Sequence, residues 1–298
     1  MTIIPMSRRT PALALAVATA LMGCAGGSAD SRPQVVASAY PFAFVAERVG
    51  GPYVDVENLT SPGVEPHDIE LTPQQVADVS DAELVIVERG FQPAVDDAVD
   101  QRGWEGVLDV AETVTLEDTG YSESGSLDPH VWLDPVRMVA LTGAVADRVA
   151  TTVPDHADDI RVNADRLEGQ LRALEDAYSE GLADCTHTTF VTSHAAFGYL
   201  AQRYGLTMVA IAGLDPTSEP SAAQQAEIAD IVEREGVTTI FTETLVSPAV
   251  ADSVADETGA TVATLDPIEG LSDATADQDY LTLMRSNLAA LRQANGCR

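Results

Sequence analysis

Three of the five histidines in this chain follow short apolar segments of the kind that form β-strands. His67 lies in the segment GVEPHD (63–68), His130 in DPHVWLDP (128–135) and His194 in TSH (192–194). An imidazole can ligate a metal ion, act as a catalytic base or make a buried hydrogen bond. Residues just past the carboxyl ends of parallel strands meet at the crevice where α/β proteins bind ligands. Three histidines in such positions therefore predict a shared metal site.

A fourth ligand is expected after another strand in the second half of the chain. Asp266 follows the apolar segment 260–265, and Glu243 follows the segment 238–242 as the competing candidate. Three neutral imidazoles and one carboxylate suit a tetrahedral Zn²⁺ site. A set richer in carboxylates would favour Mn²⁺ instead.

The other two histidines are not expected to bind this ion. His156 lies near the start of a long helical segment and is expected in solvent. His187 lies seven residues before His194, and seven extended residues span about 23 Å, so the two cannot reach one ion. His130, by contrast, lies in a stiff loop, because each flanking proline fixes its own φ and keeps the preceding aspartate extended.

The first half of the chain predicts alternating strands and helices. Its short apolar runs lack a polar alternation, which indicates a parallel sheet buried on both faces. Thr72 is the expected N-cap of the second helix. The predicted strands are 34–39, 54–59, 84–87 and 107–110, and the bounded helices are 41–49, 72–80 and 136–151.

The second half repeats this pattern. Its predicted strands are 188–192, 207–211, 238–242 and 260–265, and its helices are 195–204, 221–235, 248–258 and 278–295. Between the halves, apolar residues at spacings of three or four from Ile160 to Leu182 predict one long helix over 154–182, about 43 Å in length. The alternative is two helices broken near Gly169. The predicted fold is α/β, with two lobes, each a four-stranded parallel sheet flanked by helices, joined by one connector helix.

The N-terminus has the layout of a secretory signal. Arg8 and Arg9 precede an apolar run over 12–22, which ends in Gly23-Cys24. This run is too short to cross a bilayer as a helix, which needs about 20 residues. The segment LMGC (21–24) resembles a lipobox, so Cys24 is the predicted lipidation site, and plain secretion is the alternative. The predicted division is a signal peptide at 1–23, a tether at 24–33, lobes at 34–152 and 184–298, and a connector at 153–183.

The charge of the chain limits its partners. The formal net charge is −31, and it becomes −33 without residues 1–23, because that segment holds two arginines and no acidic residue. The chain has no lysine, so all 16 basic residues are arginine. Nucleic acids and anionic membrane surfaces are therefore not expected as partners, since phosphate binding needs basic patches.

The two cysteines that remain after Cys24 are Cys185 and Cys297. In an oxidising exterior they are expected to pair. Their separation of 112 residues and the absence of a CxxC spacing indicate a structural bridge, for which the chain-entropy model gives about 4.7 kcal/mol at most.

The motifs resemble those of a known family. GVEPHD (63–68) with Thr72-Pro73, and DPHVWLDP (128–135), are similar to the two N-terminal motifs of the cluster A-I (cluster 9) solute-binding proteins, the zinc and manganese lipoproteins of ABC importers. SHAAFGYL (193–200) is similar to their third motif, and LDP (265–267) falls where the family has its final aspartate. The resemblance covers essentially the whole mature chain.

The resemblance implies a ligand set and a function. The implied metal ligands share the strand-end positions described above: His67, His130, His194 and Asp266. A histidine in the third position is similar to the zinc branch, whereas manganese and iron members usually have glutamate there. The segment 117–127, just before the second motif, is short and lacks the histidines that many zinc members carry there. The resemblance also implies two lobes joined by one long helix, a permease of an ABC transporter as partner, and a monomer on the outer face of the cytoplasmic membrane.

Neighbouring carboxylates are expected to orient the imidazoles. Glu65, Asp68 or Glu243 could accept the outer N–H of a ligand imidazole and fix its tautomer. Trp132 is expected in the core rather than on the wall of the cleft.

Other functions are less well supported by the sequence. Catalytic zinc usually has three protein ligands and an open water position. Four candidate ligands, no HExxH motif and no nucleophile elbow speak against a zinc hydrolase, and the chain is not expected to be an enzyme. A manganese- or iron-binding member of the family is the alternative within the same class. A role in surface adhesion is a further alternative, although no sequence feature requires it.

Overall fold

The computed structural model describes Met1 and residues 32–121, 126–218 and 220–298. Apart from Met1, the predicted signal peptide and most of the predicted tether, including Cys24, lie outside the described residues. Residues 32–298 form one compact unit that contains both predicted sheets. In the described part of the chain, no helix is both long enough and apolar enough to cross a membrane.

The first sheet is parallel throughout and has the order β2-β1-β3-β4. Its strands are β1 (Gln34–Ala37), β2 (Asp55–Asn58), β3 (Leu84–Val87) and β4 (Val107–Asp109). The sequence LVIV of β3 is buried at all four positions, as expected for a central strand covered on both faces. Because β2 lies on one side of β1 and β3 on the other, the chain changes direction next to β1, and ligand sites form at such points.

Prolines and side-chain caps set where the helices of the first half begin. Thr72 accepts a hydrogen bond from the Gln75 N–H, and the Gln75 side chain accepts one from the Thr72 N–H, so the predicted cap is confirmed. Pro73, Pro93 and Pro135 each occupy the first turn of a helix, where no N–H is needed. The helices are α1 (Tyr40–Gly50), α2 (Pro73–Asp81), α3 (Pro93–Arg102), α4 (Val110–Thr113) and α5 (Pro135–Thr152).

The long helix between the sheets is α6 (Ala157–Gly181), which follows a 3₁₀ turn at Pro154–His156. It is continuous through Gly169, so the alternative of two helices is wrong. The apolar stripe predicted from Ile160 to Leu182 is buried along its whole length. This stripe packs on α1 and α5 of the first half and on α10 (Tyr280–Asn295) of the second. One helix therefore contributes to the core beside both sheets.

The second sheet is also parallel and has the equivalent order, β6-β5-β7-β8. Its strands are β5 (Thr189–Thr192), β6 (Thr207–Ala210), β7 (Thr239–Thr242) and β8 (Thr261–Thr264). The remaining helices are α7 (Gly198–Tyr204), α8 (Ala222–Glu235) and α9 (Ala249–Thr258). The predicted fold class, two four-stranded parallel sheets flanked by helices, is confirmed.

Two element boundaries differ from the prediction for local reasons. The helix expected from 195 begins at Gly198, because the Ala195 N–H bonds the Gly213 carbonyl and keeps 193–197 out of helical conformation. The strand expected over 107–110 ends at Asp109, whose side chain accepts a hydrogen bond from the Ala111 N–H and so starts α4.

The predicted disulfide is present between Cys185 and Cys297. It joins the segment before β5 to the end of α10 and so encloses the whole second sheet. Closing a loop of this length restricts the unfolded chain more than the folded one, which stabilises the fold.

Candidate metal centre

Three imidazoles and one carboxylate gather between the two sheets. His67, His130, His194 and Glu269 each offer a potential ligand atom, and these four atoms lie within 4.8 Å of one another. One oxygen, Glu269 Oε1, lies 3.1 Å from His130 Nε2, 3.2 Å from His194 Nε2 and 3.5 Å from His67 Nε2. The structure therefore brings together the three histidines that the sequence predicts as ligands.

The loops that carry His67, His194 and Glu269 follow the carboxyl ends of strands. The loop of His130 follows α4. His67 lies between β2 and α2, and His130 lies just before the 3₁₀ turn Val131–Leu133. His194 comes directly after β5, beside the point where the second sheet changes direction. Glu269 follows β8. Two ligand groups thus come from each half of the chain.

Asp128 fixes the ring of His130. Asp128 Oδ1 lies 2.8 Å from His130 Nδ1 and accepts the His130 backbone N–H at 2.9 Å. The second oxygen of Asp128 accepts the hydroxyl of Thr119 at 2.8 Å, and both Asp128 and His130 are fully buried. With Nδ1 donating to this carboxylate, Nε2 presents its lone pair to the centre of the site. The sequence analysis did not assign this role to Asp128, although the two-residue spacing in DPH is its signal.

Glu243 fixes the ring of His194 in the same way. Its Oε1 lies 2.7 Å from His194 Nδ1 and accepts the His194 backbone N–H at 3.1 Å. Glu243 is therefore a partner of an imidazole rather than a member of the ligand cluster. Glu65 accepts the backbone N–H of His67 rather than a ring N–H, at 3.1 Å, and Asp68 is exposed.

Asp266, the fourth ligand that the sequence predicts, lies outside the cluster of four potential ligand atoms. Its Oδ1 accepts the Ile268 N–H at 2.8 Å, and its Oδ2 accepts the Thr244 hydroxyl at 3.0 Å. Both oxygens thus accept hydrogen bonds from other protein groups, and Glu269, three residues later, lies beside the imidazoles. Asp266 directly follows the predicted strand 260–265, but as the second residue after β8 it does not join the cluster of imidazoles. The chain makes a further turn over 266–269 before Glu269 places its carboxylate beside the imidazoles. The position of a residue after a predicted strand does not indicate that turn.

The remaining histidines lie elsewhere, as expected. His156 stacks on the ring of Tyr53 with centroids 4.0 Å apart and is about half exposed. His187 lies next to Gly236 at the end of α8. Trp132 is fully buried and packs edge-on against Phe42, which agrees with the predicted core position.

Burial and charge act in opposite directions on the ionisable groups of the cluster. Burial would lower the pKa of His130 and His194, but the carboxylates beside them prevail, so the pKa of His130 is raised and that of His194 is raised well above its usual value. Burial would raise the pKa of Glu269, but the charge of His194 and hydrogen bonds from His130 and His194 lower it well below the usual range. The carboxylates therefore favour the protonated form of these imidazoles, and the imidazoles favour the ionised form of Glu269.

The donor set fits a dication such as Zn²⁺. Three imidazole nitrogens and one carboxylate oxygen form a tetrahedral set of the kind zinc prefers. His67 Nε2 is buried and has no hydrogen-bond partner among the described residues, so this nitrogen is available to a ligand in the cluster. Buried ionisable groups need either a matched partner or an ion, and here one ion would contact all four.

Comparisons with known proteins show which family the chain belongs to. The sequence profile of the ZnuA family, described as zinc-uptake complex component A, periplasmic, matches residues 35–294. The chain belongs to the ZnuA family. The expected family resemblance is thereby confirmed.

Two characterised relatives and one solved structure illustrate the match. The chain is 34% identical to zinc-binding lipoprotein AdcA of Streptococcus pneumoniae over 94% of its own length and 60% of that protein. It is 32% identical to the high-affinity zinc uptake system protein ZnuA of Bacillus subtilis over 90% of each chain. The crystal structure of the Zn(II)-bound ZnuA-like domain of AdcA superposes with a TM-score of 0.76 at 33% identity, covering 89% of this chain and 99% of that one. The chain thus spans about 60% of the AdcA proteins that it matches.

Proposed function

We propose that this ZnuA-family chain is an extracytoplasmic solute-binding protein that captures Zn²⁺ between its two sheets and delivers it to an ABC-type permease. The observation that carries the proposal is the convergence of three Nε2 atoms on Glu269 Oε1. The names of AdcA and of ZnuA from Bacillus subtilis, which both refer to zinc, support the same conclusion.

The proposed ligands are His67, His130, His194 and Glu269. Zn²⁺ is preferred over Mn²⁺ because nitrogen donors outnumber oxygen donors, and a harder ion would favour more carboxylates. Asp128 and Glu243 would hold two of the rings in place before the ion arrives, which reduces the ordering that binding requires. The same carboxylates stabilise the positive charge that each ring shares with the ion.

A binding role is favoured over catalysis by the number of protein ligands. Catalytic zinc usually keeps one position open for water or substrate. Four converging groups complete a tetrahedron, so a zinc ion held by all of them would have no such position. We infer that the chain is not an enzyme.

Capture and release would depend on the contact between the loops of the two halves. The Gly63 N–H donates to the Leu271 carbonyl at 2.7 Å, which joins the loop of His67 to the loop of Glu269. Because α6 packs beside both sheets, a wide hinge motion is disfavoured, and small separations of these loops are expected instead. A permease could release the ion by separating them.

The proposed location follows from the N-terminal sequence. Removal of residues 1–23 and lipidation of Cys24 would anchor a monomeric protein to the outer face of the cytoplasmic membrane. An oxidising exterior suits the bridge between Cys185 and Cys297. Residues 34–152 and 184–298 would then form the two lobes, with 153–183 as the connector.

Elemental analysis of the protein purified from its native host tests the proposal directly. We expect about one zinc per chain, and competition with a chelator should rank Zn²⁺ above Mn²⁺. A protein that binds no transition metal would contradict the proposed function. Hydrolytic turnover by the zinc-loaded form would instead support the hydrolase alternative.

A further inference from the structure

The backbone just before Glu269 has an unusual conformation. Ile268 has φ of 58° and is the one non-glycine residue with positive φ among the described residues. A β-branched side chain in this left-handed region is sterically disfavoured. Ile268 is also completely buried, so neither solvent nor mobility relieves the conflict. Something in the surrounding structure must hold this residue in place.

Asp266 supplies the contact that is most directly placed to do so. Its Oδ1 accepts the Ile268 N–H at 2.8 Å, a hydrogen bond from a side chain to the backbone two residues later. Its Oδ2 accepts the hydroxyl of Thr244 at 3.0 Å, which fixes the orientation of the carboxylate. Asp266 is only 5% exposed, so water competes little for these bonds.

The backbone of Asp266 is itself fixed by Asn287 of α10. The Asn287 side chain accepts the Asp266 N–H at 2.9 Å and donates to the Asp266 carbonyl at 2.6 Å. Asn287 is 2% exposed and lies on a regular helix, which makes it a rigid support. Hydrogen bonds to the side chain of Asp266 and to its main chain thus both stabilise the turn at 266–269.

We propose that Asp266 is a positioning residue for Glu269 and not a metal ligand. Its Oδ1 holds the Ile268 N–H, this bond holds Ile268 in the left-handed conformation, and that conformation directs Glu269 into the cluster of imidazoles. The inference rests on the proposed function, because it concerns how the fourth ligand of the same site is presented. What Asp266 must provide is an oxygen acceptor at the right distance, and a negative charge is not required.

Substitution of Asp266 by asparagine and by alanine distinguishes a positioning role from a role as metal ligand. In D266N an oxygen can still accept the Ile268 N–H, and the amide can donate to the Thr244 hydroxyl, but the carboxylate is gone. In D266A the acceptor itself is lost. E269Q removes the proposed ligand, and D273A at the exposed Asp273 serves as the matched control. For each variant, zinc affinity is measured by chelator competition, and the d–d absorption of Co²⁺ bound in place of Zn²⁺ reports the coordination geometry.

We expect D266N and D273A to keep the affinity and the Co²⁺ spectrum of the wild type. D266A should lose about 10- to 100-fold in affinity, the range typical of groups that support a ligand. Its Co²⁺ spectrum should change in the same way as that of E269Q, because both lose the carboxylate of residue 269. A merely structural role for Asp266 would lower the unfolding midpoint without this spectral change.

Three results would overturn the inference. D266N could lose as much affinity as E269Q, which would make the Asp266 carboxylate a ligand. D266A could bind zinc like the wild type, or could bind it weakly with an unchanged Co²⁺ spectrum. D266N alone decides between ligand and positioning roles if D266A does not fold. A wild-type chain that binds neither Zn²⁺ nor Co²⁺ would instead overturn the proposed function, and the inference with it.

Discussion

The indole N–H of Trp132 donates to the carbonyl oxygen of Pro267 at 2.7 Å. This bond joins the two halves of the chain at a point two residues after His130 and two residues before Glu269. The Tyr280 hydroxyl donates to the Trp132 carbonyl at 2.5 Å, so the main chain of Trp132 is held from the side of α10. The motif DPHVWLDP thus contributes a candidate ligand and also the hydrogen bond that supports the turn carrying another.

Replacement of Trp132 by phenylalanine should separate these two contributions. W132F keeps most of the apolar packing but leaves the buried Pro267 carbonyl without its donor, which should cost about 1–3 kcal/mol in the free energy of unfolding. Zinc affinity should fall too, because the turn that carries Glu269 is less well held. Urea denaturation of the metal-free protein and chelator competition measure the two effects.

W104F is the matched control for this experiment. Trp104 is 38% exposed, and its N–H bonds the exposed Asp100, so the free energy of unfolding and the zinc affinity should both change little. If W132F were as stable and bound zinc as tightly as W104F, the bond between Trp132 and Pro267 would have no role in either property.

Substitution of the histidines should reveal which of them bind the ion. H130A removes a buried nitrogen from the cluster and leaves Asp128 without its imidazole partner, so zinc affinity should fall by at least about 10-fold. H156A removes a half-exposed ring that stacks on Tyr53 and is not part of the cluster, so zinc affinity should not change. Isothermal titration with Zn²⁺ measures both. Equal losses in the two variants would show that the cluster is not the binding site.

Zinc affinity should rise with pH through the neutral range. An imidazole binds zinc only when its ligating nitrogen is unprotonated, so protons compete with the ion. The pKa values of His130 and His194 are raised above 6.5 in the metal-free protein, because neighbouring carboxylates outweigh the effect of burial. This competition should therefore continue above pH 6.5 rather than ending there. Chelator competition between pH 5 and pH 9 checks the profile, and an affinity that is constant from pH 7.5 to pH 5 would contradict it.

The free energy of unfolding of the metal-free protein should also depend on pH through these groups. Through the imidazoles it should fall as pH rises, whereas zinc affinity should rise. A raised imidazole pKa stabilises the fold below the unfolded value of 6.5, and this stabilisation is lost as pH rises through the folded value. The lowered pKa of Glu269 stabilises the fold above 4.5 and is lost as pH falls through its folded value. The network of imidazolium and carboxylate groups is therefore most stabilising in mildly acidic solution, which is where zinc binds less tightly.

The sequence predicts most of the fold because each signal is local. Short apolar runs, the cap at Thr72 and the proline at Pro135 define elements without knowledge of the tertiary structure. His67 and His194 could also be found, because each follows a strand of a parallel sheet and such strand ends converge. His130 follows α4, and the stiff motif DPHVWLDP that carries it was its signal. Glu269 could not be found, because it lies in a turn whose Asp266 is bonded to Thr244 and Asn287, which are 22 and 21 residues away in the sequence.

The carboxylates that orient the imidazoles also differ in whether the sequence can predict them. Asp128 lies two residues from His130 in one stiff motif, and this spacing is visible in the sequence. Glu243 lies 49 residues from His194, and only the pairing of β5 with β7 places them together. The contact between Glu243 and His194 therefore depends on the order of the strands in the sheet and not on a sequence motif. This dependence also explains why Glu243 could be taken for a ligand when only its position after a strand was known.

Glu88 occupies the place in the first sheet that Glu243 occupies in the second, directly after the third strand. Its surroundings are different, because both carboxylate oxygens are buried and have no hydrogen-bond partner among the described residues. Burial raises the pKa of Glu88 well above 4.5, and the negative charges of Asp128 and Asp109 raise it further. The neutral acid is therefore the form that this site favours.

Replacement of Glu88 by glutamine should stabilise the metal-free protein at alkaline pH. A carboxyl group whose folded pKa is raised costs no stability below its unfolded value of 4.5, and the cost increases as pH rises towards the folded value. Glutamine has nearly the same shape and cannot ionise, so E88Q should gain over the wild type as pH rises from 5 to 8. Urea denaturation at the two pH values measures this difference, with E70Q at the exposed Glu70 as control. A gain that is equal at both pH values would show that the pKa of Glu88 is not raised by folding. A loss that grows with pH would show that Glu88 is ionised and has a partner in the folded protein.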